Sequence, residues 1–250
     1  MAWTMPDVRL IQPDWPAPAG VRAISSTRVG GLSDGPYAGL NLGSHVGDDR
    51  AVVAGNRQLL SAAAAMPQPP FWLEQVHGVQ VVALPAASPE PITADAAYSD
   101  RPGQVCAVMT ADCLPVLFCD ARGQQVAAAH AGWRGLAAGV LENTLASFAA
   151  GAQIMAWLGP AIGPSAFEVG SEVVQQFTTS DPRAAAAFVQ QSEHKWLADL
   201  YQLARLRLQR AGVHAIYGGD HCTFSEPELF YSYRRDGQTG RMASCIWLQP

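Results

Sequence analysis

Charge is scarce in this chain of 250 residues, and basic charge is scarcer than acidic. Sixteen Lys and Arg against 21 Asp and Glu leave a net charge of −5 at neutral pH. Such a chain has no basic field to draw in a phosphate backbone, so no nucleic-acid partner is expected. No apolar run approaches the roughly 20 residues that span a bilayer, so no membrane partner is expected either. The opening M-A-W-T-M-P-D-V-R-L has no basic patch followed by an apolar stretch, so no secretory signal is expected. Five cysteines, an odd number without any C-x-x-C pair, do not make a disulfide framework, and a cytoplasmic protein with reduced thiols is expected. The ordinary nucleotide signatures G-x-x-x-x-G-K-[ST] and G-x-G-x-x-G are missing. So are H-x-x-x-H, H-E-x-x-H and His-x-His. A metal site, if there is one, must therefore be assembled from residues far apart in the chain.

What the chain does have is enough apolar sequence, 49%, to bury a sizeable core. No linker, composition break or internal repeat divides it, so residues 1–250 read as a single domain, with a Pro-containing irregular lead-in over residues 1–20. Apolar patterning predicts strands over residues 21–27, 79–84, 154–158, 213–217 and 242–248. It predicts helices over 49–65, 135–149, 172–177 and 196–209, the last ended by Gly212. A Pro-rich loop covers 85–92. Strands and helices alternate irregularly, which predicts an α/β fold with mixed β-sheets flanked by helices rather than a regular βαβ array.

Two central apolar runs organise the rest. V-C-A-V-M-T-A-D-C-L-P-V-L-F-C-D carries Cys113, and Q-V-A-A-A-H-A-G-W-R-G carries His130. A polar group inside such a run costs roughly 1–3 kcal/mol to bury unless something binds it. His77, in Q-V-H-G, stands in a similar turn context beside a predicted strand. Taken singly, each of the three reads more readily as a satisfied core histidine or a buried thiol; taken together they are candidate ligands. Cys106, Cys119 and Cys245 read as small apolar residues on strands. Asp112, next to Cys113, is a candidate acid/base or hydrogen-bond partner for a ligating histidine. The Gly-rich stretch after Arg28, with Asn41, is either a solvated loop or a place where backbone approaches a ligand. Arg28 and Arg134 are candidate anion contacts, since a guanidinium matches phosphate bidentately; the alternative is surface ion pairing. Asn41 and Asp95 are candidate hydrogen-bond partners for a ribose or a base.

The ordered motifs T-R-V-G-G-L-S, N-L-G-S-H-V-G-D-D, Q-V-H-G, T-A-D-C-L-P-V, H-A-G-W-R-G, G-P-A-I-G-P, F-E-V-G and Y-S-Y-R-R-D-G-Q-T-G-R-M-A-S span nearly the whole chain. Together they resemble the bacterial laccase-domain, or polyphenol-oxidase-like, family. That family is described as purine nucleoside phosphorylases and includes the peptidoglycan editing factor. The resemblance implies a cysteine-hydrolase-like α/β fold and a metal site of His77, Cys113 and His130. The implied metal is zinc, with copper the less favoured alternative. It also implies phosphorolysis of adenosine, inosine and methylthioadenosine, with adenosine deamination as a further activity. The expected partners are thus purine nucleosides and phosphate, handled by a monomer or a weakly associating homo-oligomer. The same resemblance permits hydrolysis of UDP-N-acetylmuramyl-serine, with Cys113 as a nucleophile and His130 as its base. Multicopper oxidase chemistry is disfavoured by the lack of any His-x-His pair.

Overall fold

The computed structural model describes residues 7–87 and 91–250, so the first six residues of the expected lead-in and residues 88–90 of the Pro-rich loop lie outside it. The lead-in is not wholly irregular: β1 (Leu10–Ile11) pairs antiparallel with β2 (Val21–Ser26). Helix α1 (Arg50–Ala63) follows, with the Asp49 carboxylate accepting from the amides of Ala51 and Val52 as its N-cap. Short strands β3 (Leu73–Glu74), β4 (Val81–Leu84), β5 (Ile92–Thr93) and β6 (Ala96–Ser99) lead into the long central ones. These are β7 (Val105–Thr110), β8 (Leu114–Asp120) and β9 (Val126–Ala131). Then come α2 (Trp133–Ala138), α3 (Val140–Leu145), β10 (Ile154–Leu158) and β11 (Glu168–Gly170). The remainder is α4 (Ser171–Ser180), β12 (Phe188–Gln190), β13 (Lys195–Ala198), α5 (Leu200–Arg210), β14 (Ala215–Gly218), α6 (Tyr233–Asp236) and β15 (Met242–Leu248).

Two sheets stack between helices. One has strand order β1-β2-β15-β7, the other β14-β10-β8-β9-β6-β4, and both the parallel and antiparallel pairs of a mixed sheet occur in the second. Alternation along the strands shows how the layers meet. On β7, Val105, Ala107 and Met109 join Leu59 and Leu60 of α1, while Cys106 and Val108 turn the other way. There they meet Leu117, Cys119, Val126 and Ala128 of the six-stranded sheet. The outer face of that sheet, with Leu114, Val116, Phe118 and Ala129, packs on Leu136, Leu141, Phe177, Leu203 and Leu208 of the helical layer. Both faces of the central strands are covered, which is why they read as continuous apolar runs rather than alternating ones. Cys106, Cys119 and Cys245 are fully buried parts of this core.

Three details differ from the expectations, each for a local reason. The run from Val105 to Asp120 is two strands in two different sheets, broken at Ala111-Asp112-Cys113, where Asp112 takes φ +93°. The helix expected over 135–149 is two short helices, because Gly139 sits between them at φ +106°, a conformation no helix interior accepts. Trp196 is not helical: it lies on β13, paired with Val169 and Gln190, and α5 begins only after Asp199 caps it.

Candidate metal centre

The site lies where several strands of the six-stranded sheet end together. Pairing of Leu114 with Ala131 sets Cys113 opposite Gly132. Pairing of Ala96 with Ala129 sets Asp95 opposite His130, and the His130 amide donates to the Asp95 carbonyl at 2.7 Å. The Asp95 amide in turn donates to the Gln80 carbonyl, bringing the Val76–Gly78 turn alongside. His77, Cys113 and His130 thus meet although 53 residues separate the first from the last in sequence (130 − 77).

One donor atom from each lies within 4.8 Å of the others. The Cys113 Sγ to His77 Nε2 distance is 3.7 Å. Tetrahedral zinc with bonds of about 2.3 Å to sulfur and about 2.0 Å to nitrogen would hold S and N roughly 3.5 Å apart. One thiolate, two imidazoles and an open fourth position therefore suit a zinc-type ion, and the three residues can hold a metal. Space for this convergence depends on Gly132, where a Cβ would stand 2.7 Å from His77 Cδ2 and 2.9 Å from Cys113 Sγ. His77 and Asp112, the residues that turn the chain into the site, both have positive φ without being glycine. Such backbone persists only where its surroundings hold it.

Asp95 is that support for His77. Fully buried, it accepts from His130 Nδ1 at 2.8 Å and from the amides of Val76, His77 and Gly78 at 3.2, 2.9 and 2.6 Å. Burial alone would raise its carboxyl, but the hydrogen bond and charge of His130 and the backbone donors bring it below the ordinary range. With Nδ1–H committed to Asp95, His130 presents Nε2 to the cluster. In the metal-free protein, burial would raise the Cys113 thiol, yet the His130 charge and hydrogen bonds from both histidines outweigh it and lower it. His130 shifts the opposite way: burial would lower it, and the Cys113 thiolate and Asp95 raise it. Metal-free protein is accordingly expected to be alkylated by iodoacetamide at Cys113 well below the usual thiol pH range, and added zinc should suppress this. Peptide mapping of the adducts checks it; equal Cys113 labelling with and without zinc would remove the thiol from the metal.

The remaining candidates fall elsewhere. Among the described residues the Asp112 carboxylate hydrogen-bonds to neither histidine of the cluster: it accepts from Thr223 Oγ1 and the Arg234 amide, each at 2.7 Å. The supporting role expected of it belongs to Asp95, which in turn has no oxygen left over for a ribose. Asn41 is fully buried, its amide spent on Gly43, Asp48 and the Arg241 amide, so it shapes the 41–48 loop from within. Arg28 donates to the carbonyls of Pro227 and Ala38 and lies over the Tyr231 ring at 4.7 Å. Arg134 is exposed and stacks on Trp133 at 4.4 Å. Among the described residues neither arginine hydrogen-bonds to the cluster, and neither makes the surface ion pair that was the alternative. The sequence carries no signal that separates Asp95 in T-A-D-A-A from Asp112 in T-A-D-C-L, each an acid just before an apolar strand.

A mixed α/β protein with a three-donor metal-capable cluster at its strand ends is what fold and site define. The sequence model of the family described as "Multi-copper polyphenol oxidoreductase laccase" matches residues 22–249, and the chain belongs to that family. It is 60% identical to "Purine nucleoside phosphorylase YfiH" of Escherichia coli K12, over 96% of this chain and 99% of that one. It is 51% identical to a Haemophilus influenzae protein named purine nucleoside phosphorylase, over 97% of this chain and 100% of the other. A crystal structure of a Neisseria meningitidis protein, 52% identical, superposes with a TM-score of 0.92 over 96% of this chain and 99% of that one. Among the described residues no helix is long and apolar enough to cross a membrane.

Proposed function

We propose that this protein is a zinc-dependent purine nucleoside phosphorylase acting on adenosine, inosine and methylthioadenosine in the cytoplasm. The observation that carries the reading is the convergence of His77, Cys113 and His130 donor atoms within 4.8 Å. The names of the relatives at 60% and 51% identity supply the reaction class. In the reaction a phosphate oxygen forms a bond to C1′ of the ribose and the C1′–N9 bond breaks. The bonding pair leaves with the purine, which then takes up a proton. Zinc, when bound, supplies a Lewis acid at the open fourth position. The protein's own part is to hold that position: Asp95 orients His130, the hydrogen bonds from the Val76, His77 and Gly78 amides to buried Asp95 fix His77, and Cys113 contributes the negative charge. Val76 and Tyr233 are 55% and 63% exposed. They neighbour His77 and the Asp112-bound Arg234, and they offer apolar surface to a purine face. With water in place of phosphate, attack at C6 of adenosine would release ammonia and give inosine.

A second reading is favoured by one observation, the Cys113 thiol set 3.7 Å from His77 Nε2 with His130 in the same cluster. There the Cys113 thiolate bonds to the amide carbonyl carbon of a peptidoglycan precursor such as UDP-N-acetylmuramyl-serine, the C–N bond breaks, serine leaves as the amine with a proton from His130, and water then cleaves the thioester to the free carboxylate and thiol. Metal ligation occupies the same thiolate, so one molecule cannot do both. Multicopper chemistry, despite the family's description, has one three-donor cluster to work with among the described residues.

The protein as isolated is expected to carry about one zinc per chain, read by elemental analysis. Incubated with adenosine, it should yield adenine and ribose 1-phosphate only when phosphate is present. Serine release from the muramyl precursor, with a mass-detected acyl adduct on Cys113 and no ribose 1-phosphate, would replace the phosphorylase reading with the hydrolase one.

A further inference from the structure

Arg28 and Arg134 make their contacts away from the cluster, yet a third arginine stands across from it. Met242 of β15 pairs with Thr110 of β7. Beyond that pair the two strands diverge into Arg241 on one side and Ala111-Asp112-Cys113 on the other, so Arg241 faces the turn that delivers Cys113. Its backbone is fixed on both sides: the amide donates to Asn41 Oδ1 at 2.9 Å and the carbonyl accepts from the Leu42 amide at 3.1 Å. Its stem lies against Gly43, where a Cβ would come within 2.7 Å of Arg241 Cγ. One guanidinium nitrogen, Nη1, donates to the carbonyls of Thr239 and Gly240 at 3.0 and 2.9 Å. Among the described residues the half-buried guanidinium forms no ion pair.

The acids of the adjoining turn and of the 41–48 loop are already committed. Asp112 is engaged by Thr223 and Arg234, and Asp48 by Ser33 and Asn41. Burial lowers the Arg241 guanidinium, and the opposing groups that face it are Cys113, Asp112, Tyr233 and Tyr37. Two further cationic or donor side chains come from other segments. Arg57 of α1 donates from Nε to the Leu42 carbonyl at 3.0 Å, lies over Trp72 at 4.1 Å, and has Nη2 3.9 Å from Sδ of Met109 on β7. His45, on the loop between Asn41 and Asp48, is depressed by partial burial and then by the charges of Arg241 and Arg57. Among the described residues the Thr239 hydroxyl, 2% exposed, has no hydrogen-bond partner. A half-buried cation without a carboxylate is costly to keep, and a hydroxyl without a partner adds to the deficit. Both would be met by one compact oxyanion.

We propose that Arg241, flanked by His45 and Arg57, forms the subsite for the anionic co-substrate, inorganic phosphate, on the Cys113 side of the cluster. The identity of the anion rests on the phosphorylase reading; the subsite itself rests on the strand register and the uncompensated guanidinium. An arginine fork holds a tetrahedral oxyanion by paired charge-assisted hydrogen bonds, and His45 supplies a further N–H.

The test uses the zinc-loaded full chain. Titration calorimetry with inorganic phosphate alone is run on the wild type, Arg241→Met, Arg241→Lys and His45→Gln, alongside KM for phosphate and for adenosine. Arg241→Met should weaken phosphate binding and raise its KM by roughly 10- to 100-fold, the loss of a charged hydrogen-bonding group. Adenosine KM and the water-dependent deamination of adenosine should move by no more than about 3-fold, well inside that range. Arg241→Lys should recover part of the loss, and His45→Gln should raise phosphate KM by a smaller factor. Should Arg241→Met fail to fold or to keep zinc, the Lys variant decides, because it preserves the stem packed on Gly43. Unchanged phosphate binding in a folded, zinc-loaded Arg241 variant overturns the subsite, as does a wild type that binds no phosphate. Phosphate binding that Arg241 variants lose, in a protein that makes no ribose 1-phosphate, upholds the subsite and removes the phosphorylase reading instead.

Discussion

Cys113→Ala is expected to leave a folded protein that no longer retains its metal through dialysis and no longer phosphorolyses adenosine measurably. Losing an outer hydrogen-bond partner of a metal ligand already costs roughly 10- to 100-fold in affinity or activity, and losing the only anionic donor should cost more. The fold should survive, because Cys113 is only half-buried and lies just before β8 rather than within its packed face. His130→Ala should lose metal in the same way. Cys113→Asp separates the two roles of the thiol. An aspartate oxygen can replace sulfur in the ligand set, so on the metal reading zinc content and some activity return. Elemental analysis and phosphorolysis on protein of unchanged circular dichroism are the measurements. Full zinc retention in Cys113→Ala would remove the cluster from the centre of the mechanism.

The cluster was legible in the sequence because its members break apolar runs. Cys113 and His130 are polar interruptions of strands that are otherwise buried on both faces, and His77 sits in a turn beside such a strand. The mixed, helix-flanked α/β fold was legible for the same reason, since the runs were too apolar for a sheet with one wet face. What stayed hidden depended on pairing between distant strands. Nothing local distinguishes Asp95 from Asp112 as the support of His130; only the Ala96–Ala129 pairing puts Asp95 there. Likewise Asn41 has the composition of a ligand-binding residue, and only its burial against Asp48 and Arg241 shows that it builds the loop instead. Trp196 carries helical spacing with Leu200 and Leu203, yet strand pairing to β11 and β12 overrides that pattern. Arg241 sits in a C-terminal motif whose position next to Cys113 requires the β7–β15 register, which no spacing encodes.

Asp95→Asn is expected to be nearly as damaging as loss of a ligand, though it changes one atom. One carboxylate oxygen accepts from His130 Nδ1 and the His77 amide; the other accepts from the amides of Val76 and Gly78. An asparagine must place its NH₂ in one of these positions. If the NH₂ faces Val76 and Gly78, two backbone donors are left pointing at a donor. If it is flipped, the same conflict falls on His77 and His130, and the imidazole loses its hold on the Nδ1–H tautomer. Breaking a buried charged pair by removing one partner costs roughly 3–5 kcal/mol. For a chain of this length that corresponds to a fall in Tm of roughly 6–20 °C. Zinc affinity should drop by about 10- to 100-fold, because His130 is no longer oriented and the positive-φ turn at His77 is no longer held. Thermal unfolding of the metal-free variant isolates the structural share, and a competitive chelator titration isolates the metal share. An Asp95 that instead met the ribose would give a different pattern: Tm and zinc affinity unchanged, with only the nucleoside KM raised. That outcome would move Asp95 out of the support of His130 and back to the substrate.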